Sequence, residues 1–163
     1  MKIALYGKKF SAEHVAGIER LVDAMVRRGL GLVVHESFYT YLNSQLNLPA
    51  HTETFQTHED LVGVKYMLSI GGDGTLLETA HIVRDSKIAV LGINTGRLGF
   101  LSQVHLNDVE MALEALINED FTLDYRSLIA VRSEQQDFGD FPYALNEISL
   151  VNKERSEIGR AHV

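Results

Sequence analysis

Residues 71–75 read Gly-Gly-Asp-Gly-Thr and stand between an apolar run, Tyr66 to Ile70, and a stretch in which Leu76, Leu77, Ala80 and Val83 recur at helical spacing. A strand that feeds a glycine loop opening a helix turns successive N–H groups toward one point at the positive end of the helix dipole, which suits an anion. Glycine at positions 71, 72 and 74 leaves room for close backbone approach and permits the φ values of a tight loop. Asp73 is the informative member. A carboxylate in a phosphate cradle is repelled by its ligand unless a metal ion or a substrate hydroxyl stands between them, so its presence points to phosphoryl transfer rather than simple phosphate binding. The structural alternative is a Gly-Asp-Gly turn with no ligand. The strand before it and the helix after it weigh against that alternative.

The elements that must position this loop follow from periodicity. Residues 2–6 (KIALY) predict a first strand ending at Gly7, Lys8 and Lys9. Ser11 stands where an N-cap would, ahead of Val15, Ile18, Leu21, Val22, Met25 and Val26 at helical spacing, with Gly29 as the stop. Residues 30–35 predict a second strand, while residues 36–62 carry no clear period and receive no assignment. Residues 88–93 (IAVLGI) predict another buried strand, followed by the irregular Asn94 to Gly99 and a helix over 107–118. Alternating strands and helices predict an α/β fold over residues 1–120, a Rossmann-like parallel sheet with flanking helices. After Asp120 the pattern changes. Residues 122–132 and 143–152 form two β-runs joined by a polar loop without a helix, which predicts the first strands of an all-β second domain over 121–156.

Composition narrows the class. The 163 residues are 45% hydrophobic and 23% charged, with a net charge of -7, so no global field draws in DNA or RNA, and a soluble globular domain is expected. The absence of cysteine removes disulfides, Cys-ligated zinc and thiol catalysis, and fits a reducing cytoplasm. The first residues hold only four consecutive apolar positions before Gly7, so no membrane partner is expected. The seven histidines show no metal-ligand spacing and are expected at the surface or in loops, with no protein-held metal. Arg27-Arg28 and Lys8-Lys9 read as solvated basic pairs, although Lys8 and Lys9 follow the end of a strand where open α/β sheets bind ligands.

GGDGTLL at 71–77 resembles the signature of NAD kinases, shared with the diacylglycerol and sphingosine lipid kinases and more distantly with phosphofructokinases. Residues 92–101, Gly-Ile-Asn-Thr-Gly-Arg-Leu-Gly-Phe-Leu, are similar to the NAD kinase pattern G-[IV]-N-x-G-x-L-G-F-L, where the lipid kinases carry a G-T-x-N-D-type sequence. Asn146-Glu147 matches the family's N-E pair. The resemblance covers residues 1–156.

It implies an enzyme that transfers the γ-phosphate of ATP to the 2′-hydroxyl of the adenosine ribose of NAD, giving NADP. Asp73 would be the catalytic base that accepts or orients the proton of that hydroxyl. Gly71, Gly72 and Gly74 would hold the phosphates, with Mg²⁺ carried by the nucleotide. Asn94 belongs to the implied nucleotide site, Phe100 would offer an apolar wall, and Asn146 and Glu147 would hydrogen-bond polar edges of NAD. A homo-oligomer is implied for the full-length family member. Each residue has a plainer role available: Asn94 and Gly96 could shape a turn, Phe100 could be core, and Asn146-Glu147 could be ordinary strand neighbours on opposite faces.

Two alternatives from other classes are a lipid kinase catalytic domain and a non-catalytic nucleotide-binding fragment. The fragment reading arises because the family's T-P-T-G-S-T-A-Y-type segment does not occur in these 163 residues. Residues 158–163, Ile-Gly-Arg-Ala-His-Val, match the translation of a common sequencing adapter, so residues 157–163 are expected to be a non-native tail. Unpartnered strands after residue 121 would make such a chain poorly soluble and weakly active.

Overall fold

The computed structural model describes residues 1–96, 99–102, 104–132, 138–145, 147–151 and 158–162. It divides into two compact units, Met1–Thr122 and Leu123–Val163.

The first unit is built on six parallel strands: β1 (Lys2–Gly7), β2 (Gly31–His35), β3 (Glu53–Phe55), β4 (Val64–Ile70), β5 (Ala89–Asn94) and β6 (Val104–His105). Their spatial order is β3-β2-β1-β4-β5-β6. Side chains alternate across a strand, and here both faces are apolar, which is why the strands read as continuous hydrophobic runs. Ile3, Leu5, Leu32, Val34, Leu68 and Ile70 enter one core layer. Ala4, Val33 and Met67 enter the other.

Three helices cover the first layer: α1 (Val15–Arg27), α2 (Glu36–Gln45) and α4 (Val109–Asn118). The fourth, α3 (Asp73–Val83), contributes Val83 and Ile82 to the opposite layer. The α1 stripe buries Ile18, Leu21, Val22 and Met25, and Gly17 admits the Leu106 side chain where a Cβ would collide with it. Gly29 ends α1 with φ +65, as its position predicts. Ser11 does not cap the helix. A 3-10 turn, Ala12–His14, intervenes, and the Ser11 hydroxyl donates to Glu13 Oε1 at 2.7 Å and lies 2.8 Å from His14 Nδ1.

The unassigned stretch 36–62 holds α2, β3 and a 3-10 turn, His58–Asp60. Only Phe38 and Leu42 of the ten α2 residues are buried, so its apolar stripe is too narrow to announce a helix. The Arg27-Arg28 pair joins helices rather than standing alone, with Arg27 bridging to Glu110 and Arg28 to Glu110 and Glu114 on α4.

In the second unit, β7 (Ile129–Ala130) pairs antiparallel with β8 (Tyr143–Ala144), and β9 (Glu147–Val151) with β10 (Ile158–His162). The expected run over 122–132 is strand only at Ile129–Ala130. Leu123, Tyr125 and Leu128 are exposed, so their apolar alternation is not buried against a sheet among the described residues. Residues 158–162, inside the expected tail, lie in register against β9.

Candidate functional site

β4 delivers the chain to the glycine loop. The Gly71 N–H donates to the Ile93 carbonyl at 2.9 Å, the last rung between β4 and β5, and Gly71 takes φ +154. A Cβ there would run into Thr75, so the protein's own packing requires this glycine. Gly72 is the N-cap of α3, and its carbonyl accepts the N–H groups of Thr75 at 3.0 Å and Leu76 at 3.2 Å. Thr79, fully buried, has its hydroxyl oxygen 2.8 Å from both Ser69 Oγ and the Thr75 carbonyl, tying α3 to β4 just behind the loop. Among the described residues nothing accepts the N–H groups of Gly72, Asp73 and Gly74. A Cβ built at Gly72 or Gly74 meets nothing within 4 Å. Protein packing therefore does not explain glycine at those two positions.

The Asp73 carboxylate is engaged from outside its own helix. Phe100 N–H donates to Oδ2 at 2.9 Å, while Leu101 and Ser102 N–H donate to Oδ1 at 3.0 and 2.9 Å. These donated bonds, that of Ser102 foremost, hold its pKa below the ordinary carboxylate value against the opposing push of desolvation. Gly99 lies against the same carboxylate so closely that a Cβ would overlap it. The loop so held carries the Phe100 side chain outward, 91% exposed, rather than into the core.

Asn94 is only 2% exposed. Its amide shapes the turn after β5: Oδ1 accepts the Gly96 N–H at 2.6 Å and Nδ2 donates to the Ser102 carbonyl at 3.3 Å. Asn146 lies outside the described residues. Glu147 begins β9 in the second unit.

The sheet order reverses between β1 and β4. α1 leads from β1 toward β2, whereas α3 leads from β4 toward β5 on the other face, so a crevice opens at the carboxyl ends of these two central strands. Gly7 and Ile70 are register partners there, which makes Lys8 and Gly71 leave the sheet side by side. Sequence reasoning missed a network on the Lys8 side. Glu78 on α3 accepts the Tyr6 hydroxyl at 2.7 Å and pairs with the Lys8 ammonium. Burial, then the hydrogen bond to Glu78, pushes Tyr6 up to about 12. His35 corrects the expectation that the histidines lie at the surface or in loops. It ends β2 half-buried, edge-on to Tyr6 and to Phe55, with ring centroids 5.1 Å from each, and desolvation lowers its pKa.

A separate cavity of about 440 Å³ is lined by His14, Arg20, Asn94, Gly96 and His105 among others, and does not include residues 71–74. Among the described residues no group of three or more His, Asp or Glu side chains could hold a metal ion, and both oxygens of Asp73 already accept N–H groups. Without such a cluster, a magnesium ion at this loop would be held chiefly by phosphate oxygens and water.

A doubly wound parallel sheet with a glycine loop at its switch point defines an open α/β domain, a class that binds ligands outside the carboxyl ends of its strands. Comparison with known proteins carries this further. The family model of the ATP-NAD kinase N-terminal domain matches residues 9–121. An NAD kinase of Cytophaga hutchinsonii is 36% identical over 163 positions, covering 99% of this chain and 56% of its own length. An NAD kinase of Bacteroides fragilis is 32% identical over 158 positions, covering 97% of this chain and 54% of its own. In fold the chain is similar to a yeast NADH kinase crystallised with NADH, at TM-score 0.63 and 16% identity over 99% of this chain and 46% of that one. The chain belongs to the NAD kinase family. It spans about half the length of the curated relatives it matches.

Proposed function

We propose that this chain is the nucleotide-binding part of an enzyme that transfers the γ-phosphate of ATP to the 2′-hydroxyl of the adenosine ribose of NAD. One observation carries the reading: Gly72, Asp73 and Gly74, whose N–H groups meet no acceptor among the described residues, open α3 at the switch point and bring a carboxylate with them. The amides take phosphate oxygens. Glycine at 72 and 74, which the protein's packing does not need, leaves space for those oxygens.

Asp73 orients the ribose hydroxyl. As the hydroxyl oxygen attacks the γ-phosphorus, the bond to the β–γ bridging oxygen breaks, ADP departs and the hydroxyl proton passes to the carboxylate. Three N–H bonds make Asp73 a weak base, and a loose transition state tolerates this because positioning counts for more than proton affinity. Asn94 acts by shaping the loop that meets Asp73, and Phe100, displayed on that loop, supplies an apolar surface for the dinucleotide. Asn146 and Glu147 hydrogen-bond polar edges of NAD. Magnesium travels with the nucleotide and neutralises phosphate charge. The setting is the cytoplasm, the reaction is a step of NADP biosynthesis, and the whole protein is a homo-oligomer.

The test is ATP-dependent formation of NADP by the whole protein. Asp73→Asn is expected to lower kcat by roughly 10²- to 10⁴-fold, the usual scale for a positioned acid or base. Failure to form NADP from ATP and NAD, or phosphorylation of a lipid hydroxyl instead, would overturn the reading.

A further inference from the structure

The crevice between β1 and β4 has two walls. The glycine loop is one, and the segment following β1 is the other. Neighbouring parallel strands run about 4.8 Å apart, so the Gly7–Ile70 register sets the Lys8 backbone beside that of Gly71. The β1 wall is fixed in place. Gly7 packs so tightly against the Ile70 carbonyl and the Phe38 ring that a Cβ would not fit, and Tyr41 grips Phe10 twice, its hydroxyl accepting the Phe10 N–H at 3.3 Å and donating to the Phe10 carbonyl at 2.8 Å. Lys8 thus projects from a pinned segment.

Its partner sits on the loop's own helix. Glu78 lies one turn beyond Gly74 and is fixed by the Tyr6 hydroxyl, itself on β1, so one carboxylate joins the two walls. The Lys8 side chain remains 57% exposed while paired. An ammonium has three donors and Glu78 Oε1 takes one, so the group can meet a phosphate without a large movement.

Resting on the phosphate-binding reading of the glycine loop, we propose that Lys8 is the cation of the nucleotide's polyphosphate subsite and that Glu78 is its resting partner, which the phosphates displace. The ligand chemistry is a polyphosphate chain bridging the two walls, its oxygens shared between the Gly72–Gly74 amides and the Lys8 ammonium. Glu78 competes with the arriving anion for the Lys8 ammonium. Lys9, with no such partner among the described residues, serves as the control for general positive charge.

The experiment is calorimetric titration of inorganic tripolyphosphate into the 163-residue chain at fixed ionic strength, with amide spectra recorded for each variant. Lys8→Met is expected to weaken binding about tenfold, the scale of one charge-assisted hydrogen bond to phosphate, whereas Lys9→Met stays within twofold. Lys8→Arg retains binding, which keeps the test decisive if Lys8→Met disturbs the fold. Glu78→Gln tightens binding several-fold, and the gain disappears when Lys8→Met is combined with it. Equal losses from Lys8→Met and Lys9→Met, or a Glu78→Gln gain that persists without Lys8, would overturn the proposal while leaving the glycine-loop reading intact. Absence of tripolyphosphate binding to the folded wild-type chain would overturn both.

Discussion

The carboxylate of Asp73 accepts the N–H of Phe100 at 2.9 Å, joining two residues 27 positions apart and fixing the loop after β5 to the first turn of α3. With Leu101 and Ser102 donating to the same carboxylate, the acidic residue of the glycine loop is also the anchor of the segment that displays Phe100.

Asp73→Asn removes the charge and turns an NH₂ group toward backbone donors. The expected cost is about 1–3 kcal/mol, the scale for leaving hydrogen-bonding groups unmatched. Hydrogen exchange at Phe100, Leu101 and Ser102 should accelerate while exchange in β1 and β4 is unchanged. Undiminished protection of those three amides would contradict the clamp.

The glycines separate packing from ligand binding. Gly99→Ala places a methyl against the Asp73 carboxylate and Gly71→Ala places one against Thr75, so both should lower thermal stability by about 1–3 kcal/mol, the usual cost of overpacking. Gly72→Ala meets no atom and should stay within about 0.5 kcal/mol of wild type in thermal melts, as for substitutions away from packed features. Its effect belongs to nucleotide affinity, which calorimetry should find reduced. A Gly72→Ala chain that binds ATP as the wild type does would separate the loop from the ligand.

Acid stability carries a signature of the clamp. Because the folded chain holds the Asp73 pKa below its ordinary value of 3.8, the stabilisation is fully present above that value and is lost as pH falls through the lower folded one. Asp60, which accepts the N–H groups of Thr57 and Gln56, behaves with the same sign. The difference between wild type and Asp73→Asn in denaturant titrations from pH 6 to about pH 2 isolates the Asp73 share, and it should shrink toward the acid end.

His35 acts on a different window. Desolvation lowers its folded pKa below 6.5, so as pH falls from that value the unfolded chain takes up a proton that the folded chain refuses. Stability should decline over that interval and level off below the folded pKa. An NMR titration should show the His35 ring titrating below 6.5, and a higher value would refute its desolvation between Tyr6 and Phe55.

The central strand β1 is legible in the amino-acid order because Ile3 and Leu5 face one core layer while Ala4 faces the other, so its apolar run is unbroken. α2 and the three-residue edge strand β3 are not, since two buried side chains in ten and a short edge give too little period. The glycine loop is legible for a local reason: five adjacent residues carry it. The Asp73 clamp and the Lys8–Glu78 pair are invisible at that level, because their partners stand 27 to 29 and 70 positions apart and meet only once the sheet has set its order. The second unit departs furthest from its periodicity, since Leu123 and Tyr125, apolar positions of the expected β-run, are exposed and lie in no strand.

The most direct measurement is a titration of ¹⁵N-labelled chain with ATP, following the amides of Gly72, Asp73 and Gly74. The account predicts that these three resonances shift saturably and together, with Phe100 to Ser102 responding through Asp73. Unmoved loop amides, with shifts confined to the cavity beside His14 and Arg20, would place the nucleotide elsewhere and contradict the account.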